Sequence, residues 1–268
     1  MNVLVACESS GVVRDAFRLR GHSAWSCDLL PTESKPHLHI QGDAIDAITQ
    51  GRPTDGARWN MVIAHPPCTY LCSSGMHWTT RGLRDPQLTE DAIAFVNALF
   101  QSTIDCKINM LAIENPIGCI SSRIRKPDQI IQPWMFGDNA SKQTCLWLRG
   151  LPLLTPTKIM PPKGWSVVRY ASDMIECPDC GEPYCQECGD HYADCDCIGP
   201  TEDDCTRKTI NGIEFGCRKS QAPRPIWSNQ TPGGQNKLGP SPDRWKLRSK
   251  TYQGIADAMA EQWGRIRS

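Results

Sequence analysis

The chain has no long apolar run. No stretch of its 268 residues approaches the roughly 20 consecutive apolar residues that a membrane-spanning helix needs. The opening Met1–Val5 leads directly into a strand-like run, without the basic and apolar zones of a signal peptide. We therefore predict a cytoplasmic protein with no membrane partner. Its 40% hydrophobic residues are enough for the core of a large α/β domain.

The chain also has no net charge, which argues against a protein coated in positive charge for nonspecific polyanion binding. The local balance is different. The segment from Asp173 to Asp204 has eleven acidic residues and no Lys or Arg, whereas the segment from Arg207 to Lys250 has ten basic and two acidic residues. If nucleic acid is a partner, its phosphates should therefore meet the second segment.

Cysteines are abundant and fall into two groups. Some are scattered before residue 150, whereas eight lie between Cys177 and Cys217 and include two C-x-x-C pairs. In a reducing cytosol such pairs indicate zinc, because each presents two sulfurs to one tetrahedral ion; free thiols or a redox motif are the alternative. The pattern leaves open one Zn²⁺ or two, with predicted ligands Cys177, Cys180, Cys185, Cys188, His191, Cys195 and Cys197, and Cys205 nearby.

Apolar strand-like segments alternate with amphipathic helical ones along most of the chain. Five strands are predicted, at Asn2–Ala6, up to Asp28, near Leu38–Ile40, within WNMVIA and within NMLAIENP; helices are predicted at 12–21, 89–102 and 252–263. This alternation predicts an α/β fold with a doubly wound, mostly parallel sheet. We predict a core at 1–164, a cysteine-rich zinc-binding insertion at 165–236, and at 237–268 a basic segment and a helix that packs back on the core.

Polar residues follow the first three predicted strands. A doubly wound sheet binds ligands at the carboxyl ends of its strands. Asp28 could accept hydrogen bonds from ribose hydroxyls and Asp43 from an adenine amino group, while the turn Glu8–Gly11 would let a nucleotide-type ligand approach the backbone. The alternatives are a turn or helix N-cap for each Asp, and a simple strand-to-helix turn for Glu8–Gly11.

A cysteine and a glutamate follow the fourth and fifth strands. Two prolines should fix the backbone before Cys68, and Glu114 interrupts an apolar strand, where an unpaired carboxylate is costly. Adjacent strands would bring both groups to one crevice. The pair suits transfer to cytosine C5, since thiolate addition to C6 with protonation of N3 makes C5 nucleophilic towards a sulfonium. This chemistry requires a raised pKa for Glu114, which burial supplies, and a lowered pKa for Cys68.

The order of these motifs resembles that of DNA cytosine-5 methyltransferases, and more closely that of short phage and prophage proteins similar to them. The resemblance is carried by VLVACESSGVVRDAF, HPPCTYL, ENPIG, KPDQIIQPWMFGD, TCLWLRGLP and YQGIADAMAEQW, which cover most of residues 1–160 and 240–268. It implies a Rossmann-like class I methyltransferase fold, S-adenosylmethionine as cofactor and a base flipped out of double-stranded DNA. For a phage-encoded protein, it implies the cytosol of the bacterial host.

The resemblance also implies roles for individual residues. Cys68 matches the nucleophile and Glu114 the acid that protonates N3, while Arg125, and less closely Arg123, match an arginine motif that contacts the flipped base and its phosphates. The family's cofactor-contacting positions match Gly11, Asp28 and Asp43. With their neighbours, the predicted cofactor site is Cys7, Glu8, Ser9, Gly11, Asp28, Asp43 and Pro66.

Several departures from the family pattern keep alternatives open. The usual Asp-x-Phe-x-Gly-x-Gly-Gly opening is VACESSGV, Glu-Asn-Val is Glu-Asn-Pro, Thr69 follows Pro-Cys in place of the usual Gln, and the cysteine-rich segment replaces the large target-recognition domain. A modified sulfonium cofactor that carries a group other than methyl is therefore one alternative. DNA contact is predicted instead for the basic stretch, at Arg244, Arg248 and Lys250, beside Trp245.

Two other functions remain. Amino methylation of adenine or cytosine usually requires an Asn/Asp-Pro-Pro-aromatic run, whereas here the prolines are flanked by His65 and Cys68. A catalytically silent zinc-bearing protein could instead bind a protein partner through the acidic segment.

Overall fold

The structure is a computed structural model that describes residues 1–166, 174–176, 183–185, 208–210, 213–215, 224–231, 236–239, 241 and 244–266. The chain divides into two compact units. Unit 1 is Met1–Pro161 with Leu238–Ser268, and unit 2 is Pro162–Lys237. In the described ranges, no helix is both long enough and apolar enough to span a bilayer.

In its described residues, unit 1 has one seven-stranded sheet and seven α-helices. The strands are β1 (Asn2–Ala6), β2 (Ser23–Asp28), β3 (His39–Gln41), β4 (Met61–Ala64), β5 (Met110–Pro116), β6 (Gln129–Ile131) and β7 (Thr144–Arg149). The helices are α1 (Val12–Leu19), α2 (Ala44–Gln50), α3 (Ser73–Thr80), α4 (Gln87–Asp105), α5 (Ile120–Arg123), α6 (Arg244–Ser249) and α7 (Gln253–Trp263).

The strand order is β3-β2-β1-β4-β5-β7-β6. The first five of these strands are parallel, whereas β7 runs antiparallel to both β5 and β6. The expected doubly wound, mostly parallel sheet is therefore present, and its strand order reverses between β1 and β4, which is where such sheets open a ligand crevice. Because β7 is antiparallel, its first residues lie at the carboxyl end of β5, with Thr144 opposite Pro116.

Helices cover both faces of the sheet. On one face, α1 and α7 bury an apolar cluster that includes Phe17, Met259 and Trp263. On the other face, α2 and α4 bury Ile48 and Val96 among the side chains of the central strands. The sequence explains both helical faces, since the buried residues recur at the three- and four-residue spacing of an amphipathic helix.

The described part of unit 2 consists of short antiparallel pairs. These are β8 (Gly164–Ser166) with β13 (Arg224–Ile226), β9 (Met174–Glu176) with β10 (Pro183–Cys185), and β11 (Lys208–Ile210) with β12 (Ile213–Phe215). Among the described residues, no cluster of His, Cys, Asp and Glu could hold a metal ion. Zinc binding stays a prediction, because the predicted ligands lie outside the part of the chain that the structure describes. These are Cys177, Cys180, Cys188, His191, Cys195, Cys197 and the side chain of Cys185.

Candidate active site

The ends of β4 and β5 bring a histidine and a glutamate into contact. Ala64, the last residue of β4, pairs with Ile113, so the loop that follows β4 runs beside Glu114 on β5. His65 Nδ1 lies 2.8 Å from Glu114 Oε2, and each side chain is only 9% exposed. Two titratable side chains are therefore in contact at a site that is largely shielded from water.

The double-proline loop is fastened to β5 by the residue after Glu114. Asn115 Nδ2 donates a hydrogen bond of 2.7 Å to the Pro66 carbonyl, and the Asn115 side chain is buried. Pro67 then leads into a 3-10 turn at Cys68–Tyr70. Because Pro66 and Pro67 have no N–H, they leave no orphan donor at this strand end.

The segment after β5 holds the second half of the same loop. Cys119 N donates to the Leu71 carbonyl at 2.8 Å, and Ser73 N donates to the Ile117 carbonyl at 3.0 Å. A Cβ at Gly118 would lie 1.9 Å from the Leu71 oxygen. Only glycine allows this approach, so the ENPIG sequence fixes the position of the loop that carries Cys68.

Cys68 and Cys72 form a pair of free thiols one helical turn apart. The Cys72 amide donates to the Cys68 carbonyl at 2.9 Å, and the two side chains are hydrogen-bonded. That hydrogen bond, together with burial and the negative charges of Cys72 and Glu114, raises the pKa of Cys68 far above the ordinary value for a thiol. The expected lowered pKa of Cys68 is therefore wrong for the ligand-free protein, since its neighbour takes the negative charge first.

Cys72 is the member of the pair whose pKa is lowered. The hydrogen bond from Cys68, the hydroxyl of Ser74 at 3.3 Å, the backbone N–H of Gly75 and the charge of Arg248 lower the pKa of Cys72 to about 5, against the opposing effect of burial. Sequence analysis missed this residue. The signal available was the i, i+4 spacing of two cysteines at the start of a helical segment.

Glu114 also titrates in the direction opposite to the expected one. Burial acts to raise its pKa, but the hydrogen bond from His65, the charge of Lys142 and the hydrogen bond from Thr144 together hold the pKa of Glu114 below its usual value. The expectation of a raised pKa took account of burial alone, and the neighbours that outweigh burial come from two other segments of the chain.

Lys142 is a further site residue that sequence analysis missed. Its charge lowers the pKa of Cys68 as well as that of Glu114. It precedes β7, which was not predicted as a strand. The apolar run TCLWLR was the available signal, but its antiparallel direction, which brings Lys142 to this edge, follows only from the topology.

At the other side of the crevice, the turn after β1 is stabilised by its own side chains. Glu8 is buried and accepts hydrogen bonds from the amides of Val13 at 2.7 Å and Arg14 at 3.3 Å, so it caps α1. Burial raises the pKa of Glu8 despite these bonds. Ser9 presents its carbonyl to the loop after β2, accepting from Thr32 Oγ1 at 2.9 Å.

Gly11 adopts a left-handed backbone conformation with φ of 73° and lies against a buried arginine. A Cβ at this position would come 2.2 Å from Nη2 of Arg14. The guanidinium of Arg14 is fully buried and donates to Ser26 and Ser34 at 3.0 and 2.8 Å. The glycine is therefore required both by its φ and by this contact.

The carboxylates of Asp28 and Asp43 lie at one edge of the sheet, each with a local structural role. Asp28 Oδ1 accepts from Leu30 N at 2.9 Å, and Asp43 Oδ1 caps α2 by accepting from Ile45 N at 2.7 Å. Burial and the charges of both carboxylates raise the pKa of the Cys7 thiol. The charges of Asp28 and Asp43 thus both act on Cys7, and the backbone amides that bond to each Asp use one of its two oxygens.

Arg123 and Arg125 are engaged elsewhere. Arg123 forms an ion pair of 2.6 Å with Glu90 on α4. Arg125 donates to Asp128 at 2.8 Å and to the Leu148 carbonyl at 3.0 Å. Leu148 pairs with Ala112, two residues before Glu114 on β5. The structure therefore does not bring either guanidinium into contact with the His65–Glu114 pair.

Two of the predicted DNA-contacting residues, Arg244 and Arg248, lie in α6, and Lys250 follows it. Arg248 is exposed and its charge reaches Cys72, whereas Lys250 forms an ion pair with Glu33. Arg244 Nε is buried and has no hydrogen-bond partner among the described residues. Arg84 adds another cation beside the loop after β4, donating to the Thr69 carbonyl at 3.2 Å.

Similarity to known proteins is low. No family model and no curated protein matches the chain. One matching solved structure is described as a candidate DNA modification methyltransferase encoded within prophage Cp (E. coli), with 12% identity, a TM-score of 0.40 and 60% of this chain covered. This chain spans only 52% of that protein. A TM-score of this size does not establish a shared fold, so the residues of the site carry the functional proposal.

Proposed function

We propose that the protein is a DNA methyltransferase that transfers a methyl group from S-adenosylmethionine to C5 of cytosine. The observation that supports the proposal is the pairing of β4 with β5, which carry Cys68 in the following loop and Glu114 near the strand end, together with the effect of the Glu114 charge on the Cys68 thiol. A nucleophilic thiol beside a carboxyl proton donor is what addition to C6 and protonation of N3 require. The mixed seven-stranded sheet is consistent with a Rossmann-like methyltransferase.

The thiol pair supports the nucleophilic role of Cys68. At neutral pH the pair carries one negative charge, which lies mainly on Cys72. When Cys68 adds to C6, its S–H proton passes to Cys72 and its sulfur forms the bond to carbon. The adjacent base thereby activates a thiol whose own pKa is high, as nucleophilic catalysis requires. Lys142 favours the same step, because its charge stabilises negative charge on Cys68.

The residues at the ends of β1, β2 and β3 fit S-adenosylmethionine in their chemistry. Asp28 and Asp43 each accept from backbone amides through Oδ1, so Oδ2 can accept from a ribose hydroxyl or an adenine amino group. The left-handed Gly11 leaves the turn after β1 without a Cβ. When bound, the cofactor supplies the electrophilic methyl group.

Double-stranded DNA is the proposed substrate. Arg84, Lys142 and Arg248 place three cations around the loop that carries Cys68, and such groups meet phosphates. An extrahelical base would be required, since C6 is not accessible to a thiol inside a stacked duplex. The overall neutral chain would thus bind DNA through a local basic region.

A second candidate differs only in the transferred group. Lys142 adds a cation near the reacting positions, and a cation would favour an anionic group delivered by a modified sulfonium cofactor. The substrate atom and the roles of Cys68 and Glu114 are unchanged in this candidate. Its distinguishing product is a C5 substituent heavier than methyl.

Nucleoside mass spectrometry tests both candidates. The full chain is incubated with double-stranded DNA and isotopically labelled S-adenosylmethionine. The DNA is then digested to nucleosides, and their masses are measured. Label on C5 of deoxycytidine, lost in Cys68→Ser and retained in the matched variant Cys106→Ser, supports the proposal. Label on an exocyclic amino group, or unchanged transfer by Cys68→Ser, contradicts it. Trapping on DNA containing 5-fluorocytosine should require the Cys68 thiol.

A further inference from the structure

His65 is a buried histidine with one ring nitrogen in use. Its Nδ1 contacts Glu114 Oε2 at 2.8 Å, while its Nε2 is buried and has no partner in the part of the chain that the structure describes. The charge of His65 also acts on Glu8. It lowers the pKa of Glu8, but burial raises that pKa by more. A buried histidine in direct contact with one carboxylate is positioned to hold a proton for it.

The backbone on both sides of the ring is fixed. His65 N donates to the Ala6 carbonyl at the end of β1 at 3.0 Å, and the Pro66 carbonyl accepts from Asn115 at 2.7 Å. The imidazole is therefore held against Glu114 by contacts to β1 and β5. With Glu114 ionised, Nδ1 must carry the hydrogen of this contact, because a carboxylate can only accept.

The proposed reaction requires a proton that Glu114 does not hold when it is ionised. Its pKa lies below the usual value, mainly because the hydrogen bond from His65 and the charge of Lys142 outweigh burial. Other titratable groups that face this pair are Cys68 in the loop and Cys145 on β7, both with raised pKa values. His65 is a titratable group hydrogen-bonded directly to the carboxylate, whereas the other hydrogen bond, from Thr144, comes from a hydroxyl that does not titrate in this pH range.

We propose that His65 is a positioning residue that supplies the proton Glu114 delivers to N3 of the target cytosine. This inference rests on the proposed function. The imidazolium Nδ1–H bond breaks as the Glu114 Oε2–H bond forms, and that proton then moves to N3, so the ring becomes neutral as the base gains one proton. In the closing step the C5–H bond breaks with its proton passing to solvent water, the C5–C6 double bond reforms as Cys68 leaves C6 as a thiolate, and N3 returns its proton through Glu114 so that the imidazolium reforms.

The substitution His65→Gln separates proton storage from positioning. Glutamine can still donate a hydrogen bond to Glu114, but it cannot hold an extra proton. We expect the rate of transfer to fall by about 10²-fold, the usual contribution of a positioned proton donor, with little change in KM for DNA. The alkaline limb of the pH profile should move to lower pH, because Glu114 alone loses its proton earlier.

A second measurement does not depend on activity. In ¹⁵N-histidine NMR spectra of the full chain, the His65 ring nitrogens should shift in Glu114→Gln and remain unchanged in His37→Gln, an exposed matched control. Unfolding temperatures of the variants show whether each remains folded. An unperturbed His65 signal in Glu114→Gln would show that the two residues share no proton and would overturn the inference.

The two proposals fail in different ways. If Cys68→Ser abolishes transfer but His65→Gln keeps the wild-type rate and pH profile, the inference about His65 is wrong and the proposed function stands. If Glu114→Gln and Cys68→Ser both retain transfer, the proposed function fails, and the NMR shift alone then reports whether His65 and Glu114 share a proton.

Discussion

The two sides of the crevice use similar side chains for different purposes. At the ends of β1 and β2 and at the start of α2, the carboxylates of Glu8, Asp28 and Asp43 accept hydrogen bonds from backbone amides of the turns and helices beside them. At the ends of β4 and β5, His65 and Asn115 keep buried polar atoms without partners among the described residues. Capping and turn formation explain the carboxylates of the first side. They do not explain the unpaired polar atoms of the second side, and buried polar atoms without partners point to a functional role.

Glu114→Gln should cause the largest loss and tests the second side directly. Glutamine keeps an acceptor for His65 but has no proton for N3, so transfer should fall by about 10²- to 10⁴-fold. Single-turnover rates measured with labelled cofactor would show this. Retention of more than a tenth of the wild-type rate would show that the buried carboxyl is structural, and the contrast between the two sides would disappear.

Gly118→Ala should distort the loop on the second side alone. The added Cβ would meet the Leu71 oxygen at 1.9 Å, and such overpacking costs about 1 to 3 kcal/mol. Gly42→Ala is the matched control, because nothing lies within 4 Å of a Cβ at Gly42. Urea unfolding monitored by circular dichroism compares the two, and equal midpoints would contradict the close approach.

Cys72→Ser should make transfer depend on alkaline pH. Without its neighbouring thiolate, Cys68 should titrate nearer to an ordinary thiol, so transfer at pH 7 should fall by about 30-fold and recover towards pH 9. In the wild-type protein the folded pKa of Cys72 lies below the ordinary value, so its thiolate is present at neutral pH and is lost as the pH falls through about 5.

The difference in thiolate absorbance between wild type and Cys72→Ser gives an independent measurement of this pair. It should show one ionisation near pH 5. Cys106→Ser should leave both the difference spectrum and the pH profile unchanged. A flat difference between pH 4 and 7 would mean that the two thiols do not share a proton.

Asp43 should give the smallest effect and tests the first side. Asp43→Ala removes the cap of α2 and should cost about 1 kcal/mol of stability. If Asp43 also contacts the cofactor, the affinity measured by titration calorimetry should fall by about tenfold, the value of one hydrogen bond. Asp43→Asn keeps an acceptor and should restore both quantities. Unchanged affinity in Asp43→Ala would leave Asp43 with the capping role alone.

The sequence predicted those features that depend on local pattern. Apolar runs and the spacing of buried residues gave β1, β4, β5 and α4, and the rule that ligands bind at strand ends indicated where to look. The prediction that Cys68 and Glu114 share a crevice depended on β4 and β5 being neighbours in a parallel sheet, and these two strands do pair.

Features that depend on distant segments were not predictable in this way. Lys142 reaches the site through an antiparallel strand, and the pKa of Glu114 is set by residues from two other segments. Motif position also does not determine the direction of a side chain, and Arg125 is an example: it matches a base-contacting motif but binds Asp128 and Leu148. The catalytic and DNA-contacting roles remain predictions for that reason.

Hydrogen bonds made by α7 hold the two sequence segments of unit 1 together. The Gly254 amide donates to Asp138 at 3.0 Å, and Trp263 Nε1 donates to the Pro152 carbonyl at 2.9 Å, so the two segments of unit 1 are joined by contacts of their own. The chain between these two segments therefore enters the stability of unit 1 mainly through its length, and doubling the length of a chain that closes a loop costs only about 0.6 kcal/mol of closure entropy. We therefore expect unit 1 to accept intervening segments of different length while its sheet keeps the same strand order.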